Sequence, residues 1–207
     1  MQMVDLTHPI SSSIPVFPGD PIPVLTPLCT IEADGCRVTG LSFGSHTGTH
    51  IDSPAHLFSE GKTLDQYAVS SFSGSGWAID CSGLAGEIGP DALDGVPAAD
   101  FLLFYTGWSR YWGTPDYLSG FPTFSRALAI RLAARRCKGV GFDTLSPDPV
   151  DSAGLFAHRT LLGQNTLLLE NLADFGQITG KPFSLCAAPL LFAGADGAPA
   201  RIAAILE

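Results

Sequence analysis

The segment S-H-T-G-T-H-I-D-S-P-A-H, Ser45 to His56, spaces three histidines around one aspartate. His46, His50, Asp52 and His56 offer three imidazoles and a carboxylate, the nitrogen and oxygen donor set that suits divalent zinc, manganese or iron. The chain holds only 5 histidines, so this clustering is not the scatter of a histidine-rich surface. A fourth histidine, His158, lies in H-R-T-L-L-G-Q-N-T-L-L-L-E-N-L, which also holds Glu170. Glu170 closes an apolar run, and an ionised carboxylate buried there costs several kcal/mol unless a cation meets it, either a metal or a neighbour such as Arg159. His158 by itself would read as an ordinary hydrogen-bonded histidine. Taken together, the six residues exceed the three protein ligands of a single catalytic zinc and suit two ions better. A carboxylate can bridge two cations a few ångströms apart, and such a pair lowers the pKa of water while polarising a carbonyl, which is chemistry for hydrolysis.

Elements must bring these residues together. Thr39, Leu41 and Phe43 alternate with smaller or polar residues, which predicts a half-buried strand from Cys36 to Phe43 leading into the histidines. Gly48, Thr49 and Pro54 oppose a helix through Ser45 to His56, so a turn or loop wrapped around an ion is expected there. Trp77 to Cys81, Phe101 to Tyr105 and Val140 to Asp143 read as short buried strands, as do Thr166 to Glu170 and Arg201 to Leu206, with Leu185 to Phe192 a further candidate. One helix stands out: Ser125 caps it, Leu128 and Leu132 share a face, and Arg131, Arg135, Arg136 and Lys138 close it before Gly139. Pro15 to Val24 is too rich in proline for a helix or a central strand and is expected as an irregular arm or edge. The class is α/β, a mixed β-sheet with few helices, in a single domain over residues 1–207 whose first 25 residues form a proline-rich arm.

The 207 residues, 45% hydrophobic and 15% charged, suffice for a real core, burying roughly 70% of the unfolded surface. A net charge of -9 excludes nucleic acid and anionic membranes as partners and leaves small molecules. The N-terminal sequence lacks the basic start and apolar run of a secretory signal, and no stretch approaches the roughly 18 apolar residues of a membrane span, so the cytoplasm is expected. Cys29, Cys36, Cys81, Cys137 and Cys186 form no C-x-x-C pair and are read as reduced core thiols. Phe17, Trp108 and Trp112 could line an apolar slot for a flat ring, or fill core. Asp143 and Asp148, flanked by Thr144, Pro147 and Pro149, either shape a turn or contact substrate.

The pattern H-x-G-T-H-x-D-x-P-x-H, filled by His46, Gly48, Thr49, His50, Asp52, Pro54 and His56, resembles the signature of the cyclase-like metal hydrolases, the family of bacterial kynurenine formamidase and isatin hydrolase. The resemblance extends to D-L-T-H-P-I at Asp5 to Ile10, the P-V-F-P-G-D-P arm, T-G-W-S at Thr106 to Ser109, G-F-D-T-L-S-P-D at Gly141 to Asp148, and P-L-L-F-A-G-A-D-G-A-P-A-R at Pro189 to Arg201. It implies the swivelling β/β/α fold of that family. It also implies that His46, His50 and Asp52 hold one metal and that Asp52 bridges to a second held by His158 and Glu170, with Glu170 able to touch both. His56 would be the proton donor and acceptor, and Phe17 would take the place of a tryptophan that formamidases set against the substrate ring. The implied reaction is that of an arylformamidase, N-formylkynurenine to kynurenine and formate, using metal-activated water; hydrolysis of isatin or another cyclic amide or lactone is the alternative, and a non-catalytic metal or ligand binder the second. The implied cofactor is one or two divalent ions, Zn2+ first and Mn2+ second. A homodimer or higher homo-oligomer is also implied, with the arm at the subunit contact.

Overall fold

The computed structural model describes residues 2–206; Met1 and Glu207, the outermost residues of the expected domain, lie outside the described residues. In chain order the elements are β1 (Gln2–Asp5), β2 (Val24–Cys29), α1 (Ile31–Asp34), β3 (Val38–Ser42), β4 (His50–Asp52), β5 (Ser73–Asp80), β6 (Glu87–Ile88), β7 (Phe101–Tyr105), β8 (Thr123–Phe124), α2 (Arg126–Arg135), β9 (Gly139–Phe142), α3 (Phe156–Leu162), β10 (Leu167–Glu170), β11 (Pro182–Pro189) and β12 (Gly197–Leu206). The main sheet runs β12-β11-β5-β7-β9-β10-β4, and β4 pairs back onto β12, so seven strands close on themselves. β5, β7, β9 and β10 are mutually parallel, whereas β4, β11 and β12 run antiparallel to their neighbours. β1 pairs with the far end of β12.

The apolar runs follow from burial on both faces of the parallel strands. Phe101 and Leu103 point into the closed sheet with Ile51, Leu169, Ala198 and Ile202. Leu102 and Phe104 point outward, where Leu128 and Leu132 of α2 and Leu161 of α3 cover them. Ser125 caps α2 as expected, its Oγ accepting from the Leu128 N–H at 3.2 Å. The basic residues near its end do more than meet the helix dipole: Arg131 donates to the Pro90 carbonyl and to Asp94, and Arg135 to the Leu93 and Val96 carbonyls, which ties down that loop.

Three expectations are corrected. The Cys36 to Phe43 strand is shorter, Val38–Ser42, and is not half-buried; it pairs only with β2 in a separate two-stranded sheet, so Leu28 and Leu41 stand more than 60% exposed, at 63% and 61%. Residues 1–25 are not wholly an arm, because Val4 and Leu6 are buried and β1 belongs to the main sheet; Pro15 to Pro23 does lack a strand. Of the five free cysteines only Cys81 and Cys137 are buried, while Cys36 and Cys186 are exposed.

Candidate metal centre

β4 is a strand rather than the expected loop, because β10 and β12 flank it and supply its ladder partners. Strand alternation sends Ile51 into the core and leaves His50 and Asp52 on the opposite face. The register pairs His50 with Glu170 on β10 and Asp52 with Gly197 on β12. His46 sits in the turn before β4, which Gly48 permits by adopting φ 65°. His56 ends the short 3-10 turn Pro54–His56, and His158 comes from α3. Leu155, just before α3, holds φ 42°, an uncommon conformation for a leucine.

All six expected residues converge. Asp52 lies at the centre: its Oδ1 is 2.6 Å from His46 Nδ1 and 3.1 Å from His50 Nε2, while its Oδ2 is 3.7 Å from His158 Nε2. Glu170 Oε1 is 3.2 Å from His158 Nε2 and Oε2 is 3.5 Å from His50 Nε2. The two oxygens of Asp52 thus face opposite halves of the cluster. Ligand atoms of His50, Asp52 and Glu170 lie within 4.8 Å of one another, as do those of His46, Asp52 and His56.

Each of three imidazoles has its other nitrogen fixed from outside. His50 Nδ1 meets the Gly48 carbonyl at 2.9 Å, His158 Nδ1 meets Asp148 Oδ2 at 2.7 Å, and His46 Nε2 meets Asp196 Oδ2 at 3.0 Å. This is the outer hydrogen bonding that orients metal-bound histidines and selects the free nitrogen. His56 differs, since its nearest outside partner is Asp196 at 4.0 Å. Asp148 also accepts from the Ala157 and His158 N–H groups at 2.9 and 3.0 Å, so one carboxylate caps the first turn of α3 and aims its histidine.

The donor set fits a divalent cation. His50 Nε2 and Glu170 Oε1 are buried without a hydrogen-bond partner, because their contacts with the opposing groups lack hydrogen-bond geometry. Burial, then the adjacent Asp52 charge, pushes the Glu170 carboxyl upward, a conflict between two buried carboxylates that a cation would relieve. Burial opposes the Asp52 charge too, but the His46 and His50 imidazoles outweigh it and hold Asp52 well below the usual carboxylate range. His46 and His158 are each pushed to about 10: burial opposes their charge, but Asp52 and Asp196 prevail at His46, and Asp148 and Glu170 at His158. His56 is lowered, chiefly by burial, with the charges on His46 and His158 adding to the effect against the pull of Asp52 and Asp196.

A cavity of about 310 Å³ opens over this cluster, with Val16, Phe17, Leu57, Leu145 and Leu155 forming its apolar wall. Phe17 is brought there by a turn in which the Asp20 N–H donates to the Phe17 carbonyl at 3.0 Å. Of the two readings of Phe17, Trp108 and Trp112, the tryptophans take the core one, packing with Tyr117 and Phe121, Trp112 stacked on His8 at 4.1 Å, and Phe17 alone of the three lines the cavity. Arg159 is not the partner of Glu170; its guanidinium lies over the Phe58 ring. Asp143 touches no part of the cavity and instead accepts from the Thr106 N–H and hydroxyl, bracing the T-G-W-S loop. Sequence reading left Asp148 between two roles and missed Asp196 and Gly197. Asp196 reaches His46 because its carbonyl accepts from the N–H and hydroxyl of Ser53, the residue after Asp52. Gly197 must lack a side chain, since a Cβ there would lie 2.5 Å from His46 Cε1. The D-G pair in G-A-D-G-A-P was the available signal for both.

Residues 4–149 match the Cyclase family, a span that holds His46, His50, Asp52 and His56 but ends before His158 and Glu170. The chain belongs to this family. Relatives of the Cyclase-family chain cover the remainder. An uncharacterized protein of Methanocaldococcus jannaschii is 32% identical over 100% of both chains, and a kynurenine formamidase of Bacillus cereus is 30% identical over 97% of this chain and 95% of its own. Isatin hydrolase A from Labrenzia aggregata, solved with benzyl benzoate, superimposes with a TM-score of 0.89 at 28% identity, over 100% of this chain and 94% of its own.

Proposed function

We propose that this chain is a metal-dependent hydrolase of a small amide, with N-formylkynurenine as the first substrate to test. The observation that carries the reading is the set of three outward-anchored imidazoles aimed at two buried carboxylates beneath an apolar cavity. His46, His50 and Asp52 would hold one ion, and Asp52, His158 and Glu170 a second, with Zn2+ the foremost candidate and Mn2+ the next. Bound divalent metal supplies a lowered pKa for water and a polarised carbonyl. His56 is the one imidazole of the cluster without a close outer anchor, and burial lowers its pKa, which favours the neutral form. It takes a proton from the attacking water and delivers it to the leaving nitrogen as the C–N bond breaks. Phe17 offers its ring to an aryl substrate, and among the described residues no lysine or arginine lines the cavity.

Hydrolysis of a cyclic amide such as isatin is the second reading, favoured by the 0.89 TM-score to isatin hydrolase A and by phenylalanine at position 17. Protein reconstituted with Zn2+ or Mn2+ and assayed on N-formylkynurenine, isatin and a simple lactone, with and without chelator, separates the readings. Turnover should follow the metal. Chelator-insensitive turnover would sink the mechanism, and metal uptake with no turnover of any amide or lactone would leave a non-catalytic binder.

A homodimer or larger assembly belongs to the same proposal. The β2–β3 hairpin exposes Val24, Leu28, Ile31 and Leu41, and Ile22 two residues before it is exposed too, apolar surface that a second copy would cover. Leu28→Asp with Leu41→Asp should lower the sedimenting mass, and an unchanged mass would count against this contact. Among the described residues no helix is long and apolar enough to cross a membrane, and a cytoplasmic site of action is proposed with the rest.

A further inference from the structure

Asn171 follows Glu170 directly, and it is buried, with only 4% of its surface exposed. Its φ of 56° is left-handed, so the chain turns sharply as it leaves β10 and the side chain swings back toward β4. The side-chain Nδ2 donates to the Gly48 carbonyl at 3.0 Å, the same oxygen that receives His50 Nδ1 at 2.9 Å. The Tyr117 hydroxyl donates to Asn171 Oδ1 at 2.9 Å, and the opposite amide orientation would set two acceptors, Oδ1 and the Gly48 oxygen, against each other. Its backbone is fixed as well: the carbonyl accepts from Thr49 Oγ1 at 2.6 Å and the N–H donates to the Thr144 carbonyl at 3.2 Å.

We propose that Asn171 is a positioning residue that joins the two sides of the metal centre, fixing the direction of Glu170 through the backbone and the tautomer of His50 through the Gly48 carbonyl. Asp196 and Asp148 serve His46 and His158 as carboxylate anchors, whereas His50 Nδ1 meets a backbone oxygen in a turn at 2.9 Å, with Asn171 Nδ2 farther off at 3.5 Å. That oxygen can select the Nδ1–H form, with Nε2 free toward Asp52 and Glu170, only if the turn holds still. Asn171 supplies the restraint, and Tyr117 keeps the Asn171 amide from flipping.

This role rests on the metal-centre reading, and its test needs no substrate. Asn171→Gly keeps the left-handed backbone at no steric cost and removes the side chain with its amide. Zn2+ affinity is measured by competition with a chromogenic chelator, and the His50 tautomer of the metal-free chain by long-range 15N–1H correlation. Asn171→Gly should weaken Zn2+ binding about 10- to 100-fold, the range seen when outer hydrogen bonds of metal ligands are removed, and His50 should become a mixture of tautomers. Tyr117→Phe should shift both readouts in the same direction by less. Asn171→Gly binding Zn2+ within about twofold of the native chain, with His50 unchanged, would overturn the role, even if its thermal stability fell. A native chain that takes up no metal would overturn the proposed function and this role together.

Discussion

His46, His50 and Asp52 come from one short stretch of chain, held from outside by a backbone carbonyl and by Asp196, whose side chain is 42% exposed. His158 and Glu170 come from a helix and a strand, are buried, and depend on Asp148, which is buried too. His50 and Asp52 are as buried as His158 and Glu170, so the first side is open only at its rim, at His46, Asp196 and His56, the His56 side chain being 30% exposed against 6% for His158. The difference suits the two proposed duties. A group that exchanges protons with substrate must stay reachable and loosely held, whereas a group that keeps a charge in low dielectric must be surrounded and fixed.

Asp52 belongs to both sides, so Asp52→Ala should have the largest effect, with metal content and activity both falling to background in metal analysis and turnover assays. Full metal retention would show that the sides are independent. Next comes His56→Ala, expected to cost about 10²- to 10⁴-fold in rate with metal content unchanged. Loss of metal from that variant would move His56 among the ligands. Gly197→Ala pushes the His46 ring away from its place and should lower kcat by up to about 10²-fold, since a 1 Å misplacement is enough for that. The two outer carboxylates then give a direct contrast. Asp148→Ala strips three donors of their acceptor and should cost about 2–4 kcal/mol in stability, along with about 10- to 100-fold in metal affinity. Asp196→Ala, half in solvent, should cost less than about 1 kcal/mol. Calorimetric melting of the pair checks this, and the reverse order would break the comparison.

A comparably small effect lies outside both sides. Burial lowers the pKa of His8 from 6.5 to about 4, so the folded chain prefers His8 neutral. The unfolded chain binds the proton first, and the stability that His8 contributes is complete above pH 6.5 and lost as pH falls toward 4. His8→Phe should lose less stability than the native chain across that window, by on the order of 1 kcal/mol given the partial exposure of His8. Parallel losses in the two proteins would exclude His8 as a source of acid sensitivity.

What could be read from the chain follows the same division. Residues grouped within one short stretch leave a local pattern, so His46, His50, Asp52 and His56 were visible as a spacing. Glu170 was visible because a carboxylate ending an apolar run needs a cation, and the buried strands and α2 because apolar runs and caps are local features. Asp196 is 150 residues from the histidine it anchors, and only the register of β4 on β12 brings it there. The β2–β3 hairpin shows the limit in the other direction, since alternation in Val38–Ser42 marks a strand without saying that nothing in the chain covers it.

The three-residue strand β4 is also the stave that closes the barrel, and its pairing with β12 spans only Gly197 to Pro199. An ion held by His50 and Asp52 of β4 and by Glu170 of β10 would rivet this closing stave to β10, and so keep it in place for the seam with β12 as well as serve chemistry. Its removal should loosen this seam first, so amide protons of β4 and the neighbouring end of β12 should exchange faster in chelator while those of β7 and β9 keep their protection.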